Sequence, residues 1–284
     1  MPANPAIRSM NLEDLDFAAQ GTAAEGWVSE GYAGFLGFFA HYSPGCLLAE
    51  ISGKPVGICM ATPYGDSGFI GELIVKPEAR GQGIGAALID WAVSTLRQTG
   101  AHTIYLDGVV KAVDLYERHG FRRVCRSLRL RGEVQGRISP ETRPMQVQHL
   151  EQVFALDRNA FGADRSFFIR QRLEYFPELS KILMQEDRVM GYILGRRGTG
   201  WASAGPWVVS REAAHPVQLL YAFASEVNTP FSVGILESHR QAVELVRSLG
   251  FVERADCPWR MALGPQENLG KSLACYAVGS AAKG

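Results

Sequence analysis

The sequence predicts an α+β fold built from two similar domains in tandem. Short apolar strands alternate with helical segments through the first half of the chain. The length of 284 residues exceeds that of an average domain. A repeat also links the two halves, because residues 112–115 (AVDL) and 120–121 (GF) recur 130 positions later as 242–245 (AVEL) and 250–251 (GF). Such a repeat indicates two homologous domains.

The elements of the first half follow from apolar periodicity and from turn residues. In chain order they are a strand (6–10), a mostly helical region (13–40) broken near Gly26, two hairpin strands (47–65) joined at Ser52-Gly53-Lys54-Pro55, an apolar strand (67–75), a helix (84–99), a strand (102–107), a short helix (111–119) and a closing strand (122–131).

A polar segment rich in glycine and proline, GEVQGRISPETRP, follows the last of these strands. This composition is typical of a connection between domains. The sequence therefore predicts a first domain over residues 1–133, a linker over 134–144 and a second domain over 145–284.

The composition excludes some partners and favours a cytoplasmic protein. The 29 basic and 29 acidic side chains cancel, so net charge indicates neither a nucleic acid nor a membrane as partner. Residues 1–17 lack the apolar stretch of a signal peptide, and no apolar run approaches the ~20 residues of a membrane span. The five cysteines are widely spaced and the histidines are scattered, so we expect buried free thiols and no metal site.

Three glycines stand in the stretch VKPEARGQGIGAALIDW, residues 75–91, where a strand gives way to a helix. A phosphate loop of the nucleotide hydrolases is excluded, because no Lys-Ser or Lys-Thr follows the glycines. A dinucleotide fingerprint fits Gly81-x-Gly83-x-x-Ala86, with Asp107 placed where a ribose-binding acid would stand. In that fingerprint, however, the first glycine follows the end of the strand almost directly, whereas here the five residues KPEAR separate Val75 from Gly81.

A third interpretation uses more of this stretch. Val75-x-Pro77-x-x-Arg80-Gly81-x-Gly83-Ile84-Gly85 resembles motif A of the GNAT superfamily of N-acetyltransferases. Backbone N–H groups at a helix start form a site for an anion, and glycine lets a pyrophosphate approach them. The resemblance implies acetyl-CoA as co-substrate and no metal. The residues that it assigns to the coenzyme are Leu73, Ile74, Val75, Arg80, Gly81, Gln82, Gly83, Ile84, Gly85 and Ala86.

A second motif follows in the expected order. Residues 112–121 (AVDLYERHGF) resemble the GNAT pattern A-x-x-L-Y-E-[KR]-x-G-F, although Val109 stands where the family usually has asparagine. The overall layout is also similar to a smaller tandem group of the family. The residues that suggest this are Gly26-Trp27, Gly68-Phe69-Ile70-Gly71, Leu106-Asp107 and Gly205-Pro206-Trp207-Val208. The resemblance implies two GNAT-like domains, each a mixed, mostly antiparallel sheet flanked by helices.

Two side chains are candidates for the chemistry of acetyl transfer. In the family, an acid at the position of Glu72 often acts as base through water, and strand alternation places Glu72 and Ile74 on one face, Leu73 and Val75 on the other. The alternatives are a paired structural carboxylate and a charged residue that keeps an edge strand soluble. Tyr116 matches the tyrosine that protonates the coenzyme thiolate, a role that suits a slightly depressed phenol pKa. The alternative for Tyr116 is a core aromatic.

Two further features concern the acceptor and the carbonyl group. The backbone amide of Val75 or Leu73 would polarise the thioester carbonyl. The aromatic residues Phe35, Phe38, Phe39 and Tyr42 recur at helical spacing, which favours a core-facing helix side, with an acceptor-pocket wall as the alternative.

The second half lacks the parts that carry the chemistry. At the place of motif A it reads GPWVVSREAAHPVQLL, with no glycine between Pro206 and Val233, and Val246 stands where the first half has Tyr116. The second domain is therefore expected to be degenerate, and each chain to bind one coenzyme.

Together these observations predict an N-acetyltransferase that transfers acetyl directly from acetyl-CoA to a small amine or amino-acid-like acceptor, as a monomer or homodimer. A non-catalytic sensor of acyl-CoA is the alternative from another functional class, and a nicotinamide-dependent enzyme is a more distant one.

Overall fold

The structure is a computed structural model, and it describes residues 5–26, 31–198, 201–227, 229–265 and 269–284. Trp27, named in the resemblance above, lies outside these described residues. By its internal contacts the chain forms two compact units. The first unit comprises Met1–Val124, Met261–Glu267 and Ala281–Gly284, and the second comprises Cys125–Arg260 and Asn268–Ser280.

The first unit is a mixed sheet covered by helices. Its elements are β1 (Ala6–Ser9), α1 (Leu15–Ala24), α2 (Tyr32–Tyr42), β2 (Cys46–Ile51), β3 (Lys54–Tyr64), β4 (Ser67–Val75), α3 (Ile84–Gln98), β5 (Thr103–Gly108) and α4 (Val113–Arg118). Strands β1 to β4 are antiparallel neighbours, and β5 is parallel to β4. Ser52 and Gly53, at φ 51° and 72°, form the predicted hairpin turn, because a tight turn of this kind needs positive φ at both positions.

The helices of the first unit lie on both faces of its sheet. Ile58 packs in one buried cluster with Leu15 of α1 and Phe35 of α2. A Cβ added to the preceding residue, Gly57, would meet Leu88 of α3 at 3.3 Å. Because successive strand residues point to opposite faces, α3 covers the face opposite α1 and α2. Phe35 and Phe38 are buried, so the aromatic side of α2 faces the core as predicted.

The second unit repeats this plan. Its elements are β6 (Arg122–Gly132), β7 (Thr142–Pro144), α5 (Leu150–Phe161), α6 (Ser166–Tyr175), β8 (Lys181–Gln185), β9 (Arg188–Gly198), β10 (Trp201–Val209), α7 (Val217–Ala224), β11 (Phe231–Leu236), α8 (Arg240–Ser248), β12 (Val252–Glu253), β13 (Trp259–Leu263) and β14 (Cys275–Ala277). The strand order is β7-β8-β9-β10-β11-β6, in which β10 and β11 are parallel and the other neighbours are antiparallel. The predicted α+β class with mostly antiparallel sheets is confirmed.

The repeat recognised in the sequence occupies corresponding places in the two units. In each, a strand that lies parallel to its neighbour precedes a helix, α4 or α8, and a glycine ends that helix. Gly120 and Gly250 have φ angles of 84° and 87°, which a side chain would make unfavourable. Phe121 and Phe251, which follow them, are both buried.

Neither unit is a single continuous stretch of the sequence. Residues 122–124 of β6 belong to the first unit and the rest of that strand to the second. Conversely, β13 ends in the first unit, where a Cβ on Gly264 would lie 2.2 Å from the carbonyl oxygen of His102. Residues 261–265 thus return to the edge of the first sheet beside β5.

The polar segment 134–144 lies inside the second unit. Its Arg137 amide donates a 3.1 Å hydrogen bond to the carbonyl of Tyr221, and a Cβ on Gly136 would come within 2.4 Å of Ser225. Its last residues form β7, which pairs with β8. The segment therefore packs against its own unit. Among the described residues no helix is both long and apolar enough to cross a membrane. The five cysteines are free and buried.

Candidate active site

A split opens between β4 and β5 in the first unit. The parallel ladder joins Ser67–Ile70 to Thr103–Leu106 and stops there, although both strands continue. The other edge of β4 pairs with β3 as far as Val75. The edge of β4 that begins at Gly71 is therefore released from its parallel neighbour at the centre of the sheet, which is where a ligand can reach strand backbone.

Glu72 forms a β-bulge at this point. Met60 lies opposite Gly71 and Ile58 opposite Ile74, so two residues, Glu72 and Leu73, face the single residue between Ile58 and Met60. Glu72 has φ 48°, which is rare for a residue with a side chain. The strict alternation predicted for residues 72–75 is therefore wrong, because a bulge inserts one extra residue and re-aims the side chains beside it.

Glu72, Cys59 and Tyr116 form a buried group at the bulge. Glu72 is 5% exposed, Cys59 0% and Tyr116 7%. Burial raises the pKa of the Cys59 thiol, and the Glu72 charge raises it further. Burial likewise raises the pKa of the Tyr116 phenol, with a smaller contribution from Cys59. Cys59 thus lies within electrostatic reach of both residues proposed for the chemistry.

Tyr116 is held by close packing on α4. A Cβ on Gly108 would meet its ring at 3.0 Å, so glycine at the end of β5 makes room for the phenol. The Phe121 ring packs against it edge-on, with centroids 6.1 Å apart. The depressed pKa that the sequence argument invoked for Tyr116 is not found. Burial in an apolar site disfavours the phenolate, so the phenol stays protonated beyond its ordinary range.

The glycine-rich turn presents backbone donors at the start of α3. Gly81 and Gly83 have φ angles of 76° and 80°, and Gly83 is the N-cap with no side-chain cap. No other atom lies within 4 Å of a Cβ placed on Gly83. The amides of Ile84, Gly85 and Ala86 occupy the first turn of a 15-residue helix, where N–H groups have no partner within the helix. The positive end of the helix thus opens to the surface at an exposed turn.

Arg80 fixes the shape of the loop. Its Nε donates a 2.9 Å hydrogen bond to the carbonyl of Val75, which ties the loop to the end of β4. Its guanidinium also forms an ion pair with Glu25, and the Nζ of Lys111 lies 3.8 Å from the same carboxylate. The sequence interpretation did not include Glu25, because no local pattern joins residues 55 positions apart.

A cavity of about 240 Å³ borders β4 on the α1 side. Lys76 is the basic residue in its lining, and the Lys76 Nζ lies 5.0 Å from the centre of the Phe17 ring. The lining residues are Phe17, Gln20, Gly21, Ala24, Val56, Gly57, Ile58, Ile74 and Lys76. The sequence interpretation missed this cavity, because it arises from a helix and two strands that are distant in sequence.

The corresponding region of the second unit is closed. In the described ladder, Ala202–Ala204 of β10 pair with Phe231–Val233 of β11. Beyond them, Trp207 and Val208 of β10 pair with β14. Because β9 occupies the other edge of β10, β14 fills the edge that β11 leaves. The amide of Val278 then donates a 2.8 Å hydrogen bond to Gly234 of β11.

The second unit also lacks the glycine turn and the phenol. The N-cap of α7 is Pro216, in place of a glycine with positive φ. Val246, at the position that corresponds to Tyr116 in the repeat, is fully buried in the core of its unit.

Comparison with known proteins decides the family. Residues 10–121 match the model of the acetyltransferase (GNAT) family, and residues 153–276 match that of an acetyltransferase (GNAT) domain. The chain belongs to the GNAT family of acetyltransferases. It carries two GNAT domains in tandem, which the repeat in its sequence and the plan of its two units both reflect.

Solved structures share the fold of this GNAT chain. A candidate acetyltransferase from Pyrococcus horikoshii superposes with a TM-score of 0.82 at 22% identity, covering 99% of this chain and 96% of that one. A tandem GNAT protein from the clavulanic acid biosynthesis pathway gives a TM-score of 0.61 at 15% identity, covering 93% of this chain and 100% of that one. At such identities the likeness concerns the fold.

One curated relative matches part of the chain more closely in sequence. It is a candidate ribosomal protein bS18-alanine N-acetyltransferase from Bacillus subtilis (strain 168), 29% identical over 130 residues. The match covers 43% of this chain and 83% of that protein.

Proposed function

We propose that the first unit is an acetyl-CoA-dependent N-acetyltransferase that acts on a small amine or an amino-acid-like acceptor. The observation that carries this proposal is the coincidence of three features at one edge of β4. These are the glycine turn at the start of α3, the split that begins at Gly71, and the buried group around Glu72 and Tyr116.

The turn has the properties that a pyrophosphate requires. An anion at the start of α3 would meet the amides of Ile84, Gly85 and Ala86, together with the positive end of the helix. The space where a side chain would stand at Gly83 is open, so the anion can approach the backbone. Gln82 and Arg80 flank this turn, and we assign both to the coenzyme site with Gly81.

The bulge provides the second half of the site. Bulged residues leave the regular ladder, so an amide of Leu73 or Val75 on the free edge of β4 can donate to the carbonyl oxygen that becomes negative during transfer. Ile74 lies between them and completes the strand that we assign to the coenzyme. When bound, acetyl-CoA supplies an activated acetyl thioester.

Glu72 and Tyr116 take the proton-transfer roles. An amine with a lysine-like pKa of about 10.4 is mostly charged at neutral pH, so it must lose a proton before it attacks. Glu72, which stands at the bulge with a φ of 48°, accepts that proton through a water molecule. Burial raises the pKa of Tyr116, so the phenol stays protonated and can donate a hydrogen bond to the leaving sulfur. The same rise makes the phenol a weaker acid, so its proton passes to the sulfur only as the C–S bond breaks and negative charge develops there.

The acceptor class follows from charge and from the relatives. A chain with no net charge offers no steering to a highly charged acceptor. The Bacillus subtilis relative bears the name of an enzyme that acetylates an alanine of a ribosomal protein, and an amine is the group that such a reaction modifies. A small or amino-acid-like amine therefore suits this chain.

Release of free thiol from acetyl-CoA in the presence of a panel of amines tests the proposal. We expect turnover with at least one primary amine, and loss of that turnover in a Gly83→Glu variant. Gly53→Glu is the matched control, because Gly53 also has positive φ, 72°, and open space around it but lies in the distant hairpin. Binding of acetyl-CoA without thiol release from any amine would instead identify a sensor.

A further inference from the structure

The segment Ala281–Gly284 belongs to the first unit, although the residues just before it belong to the second. Ala282 is 1% exposed and packs in the buried cluster that contains Phe38 and Met60. Lys283 is 0% exposed. A lysine is seldom fully buried, because its charged amine loses water, so its position calls for a specific explanation.

Three contacts hold this segment as a binding site would hold a peptide. The Tyr64 hydroxyl donates a 2.8 Å hydrogen bond to the backbone carbonyl of Lys283. The Lys283 Nζ lies 4.1 Å from the centre of the Phe38 ring, a favourable place for a cation. At Gly71, a Cβ would come within 2.5 Å of the Ala282 Cα, so glycine is needed for the close approach.

These contacts lie at the proposed active site. Gly71 is the first residue of β4 beyond its ladder with β5, and it directly precedes the bulge at Glu72. Phe38 shares a cluster with Met60, which is the partner of Gly71 in the ladder between β3 and β4. The lysine thus lies on the α2 face of β3 and β4. Cys59 alternates with Ile58 and Met60, so the group of Cys59, Glu72 and Tyr116 lies towards the α3 face, and the two faces meet at the edge of β4 that β5 leaves beyond Ile70.

We propose that Lys283 is an internal acceptor, and that the first unit acetylates its Nζ in the same chain. This inference rests on the acetyltransfer activity proposed above. It also assigns the buried surroundings of Lys283, formed by Phe38, Tyr64 and Gly71, as the place where an acceptor binds, with a preference for a primary amine on a flexible stem.

The reaction balances as an acyl transfer. The Nζ ammonium first loses one proton to Glu72 and water, and its lone pair then forms the N–C bond to the acetyl carbonyl carbon. The C–S bond breaks, and the sulfur leaves as thiolate and takes a proton from Tyr116. The second Nζ proton leaves as the amide forms and replaces the proton that Tyr116 gave to the sulfur, so the products are acetyl-lysine, free coenzyme A and the one proton that passed to Glu72 and water.

The test is incubation of the full chain with acetyl-CoA and no added amine, followed by mass spectrometry of the peptides that contain Lys283 and Lys54. Lys54 is exposed in the hairpin and reports spontaneous acetylation, which follows exposure. We expect Lys283 to react more than about tenfold faster than Lys54, because it is held at the site. The acetylated fraction at a given time should not change when the protein is diluted, since the step occurs within one chain.

Two variants add readouts that spontaneous labelling would not show. Gly83→Glu should stop acetylation of Lys283 and leave that of Lys54 unchanged. Tyr64→Phe removes one hydroxyl and keeps the ring, and it should slow labelling of Lys283 about two- to tenfold, the worth of one hydrogen bond, with unchanged affinity for acetyl-CoA.

Each contrary outcome has its own meaning. If added amines are acetylated while Lys283 stays unmodified, this inference is overturned and the proposed function stands. If Lys283 reacts no faster than Lys54, or reacts equally in Gly83→Glu, the labelling is spontaneous and the inference is overturned. If neither amines nor Lys283 accept acetyl, the proposed function is overturned with it.

Discussion

Strands β4 and β10 have corresponding neighbours, an antiparallel strand on one edge and a parallel strand on the other. They differ beyond the point where the parallel strand ends. Beyond Ile70, β4 leaves its parallel partner and forms a bulge at Glu72. Beyond Ala204, β10 also leaves its parallel partner, but β14 pairs with the vacated edge at Trp207 and Val208. The GNAT fold thus persists in both units, whereas β4 and β10 differ, in the described part of the chain, in whether another strand pairs with the edge that the parallel partner leaves.

The first turns of the helices that follow these strands also differ, because only that of α3 leaves its backbone amides open in the described residues. α3 begins at Gly83, whose φ of 80° exposes the amides of the first turn. α7 follows the N-cap Pro216, and the amides of Gln218 and Leu219 in its first turn donate to the carbonyls of His215 and Pro216. Core packing is enough to maintain the fold in both units, because the fold depends on buried apolar area. Binding an anion requires backbone donors in one particular geometry, and a few substitutions remove them.

The number of coenzyme sites tests this difference most directly. Titration calorimetry of acetyl-CoA into the full chain should give a stoichiometry near one, because among the described residues a glycine turn opens the helix start of the first unit and Pro216 stands at that of the second. Gly83→Glu should reduce it to near zero, and Gly53→Glu should leave it at one. A single exposed ion pair at Arg211 is worth about 1 kcal/mol or less, far below the roughly 8 kcal/mol of micromolar binding.

A stoichiometry near two that falls to one in Gly83→Glu would contradict this expectation. It would mean that the second unit binds the coenzyme despite β14, and the comparison between β4 and β10 would fail.

Tyr116→Phe measures how much the phenol hydroxyl contributes to turnover. The second unit has Val246 at the corresponding position. Turnover should fall on the order of a hundredfold, with little change in acetyl-CoA affinity, because the ring and its packing on Gly108 remain. Steady-state kinetics with the best amine of the panel provides the measurement. A change within about threefold would show that Tyr116 only fills the core.

The same variant tests how the raised pKa of Tyr116 affects the stability of the protein at alkaline pH. Burial raises the pKa of Tyr116 in the folded state above its value of about 10 in the unfolded chain. The contribution of Tyr116 to the free energy of unfolding is therefore fully present below about pH 10 and declines as the pH rises above it. Thermal unfolding between pH 9 and 11 should therefore lose less stability in Tyr116→Phe than in the natural chain. An equal loss in both proteins would show that Tyr116 does not contribute to the alkaline decline.

Glu72→Gln tests whether the carboxylate at the bulge acts as a base. The amide keeps the size of the side chain and cannot act as a base, so turnover should fall about tenfold or more at neutral pH. The loss should shrink at high pH, where a larger share of the amine is already neutral. A loss that is independent of pH, with a lower melting temperature, would instead favour the structural carboxylate.

The smallest effect is expected from Val278→Pro in the second unit. It removes the N–H that bonds to Gly234 and should lower the free energy of unfolding by about 1 kcal/mol without changing turnover or stoichiometry. Chemical denaturation provides the measurement. A gain of coenzyme binding in this variant would mean that β14 alone keeps the second unit closed.

Local pattern was sufficient to predict much of the fold and the glycine turn. Strand β4 runs from Ser67 to Val75 as the apolar run indicated, and the hairpin turn and the helix after Gly83 were also predicted. These features depend on apolar period, on turn residues and on glycine, all of which are visible in short stretches.

Features that join distant residues could not be predicted in this way. The pairing of Arg80 with Glu25 and the return of residues 261–265 to the first sheet depend on tertiary contacts. The bulge depends on a positive φ at Glu72, a residue type that rarely adopts it. The raised pKa of Tyr116 results from burial, which the motif alone does not reveal.

The return of residues 261–265 to the first sheet has a consequence for synthesis of the protein. The segment up to Val124 cannot complete its sheet until residue 265 has been made. At roughly 5–20 residues per second this leaves an interval on the order of ten seconds. During it, the edge of β5 is open to pairing with another nascent chain, so exchange of β13 between two chains is a ready route to misassembly.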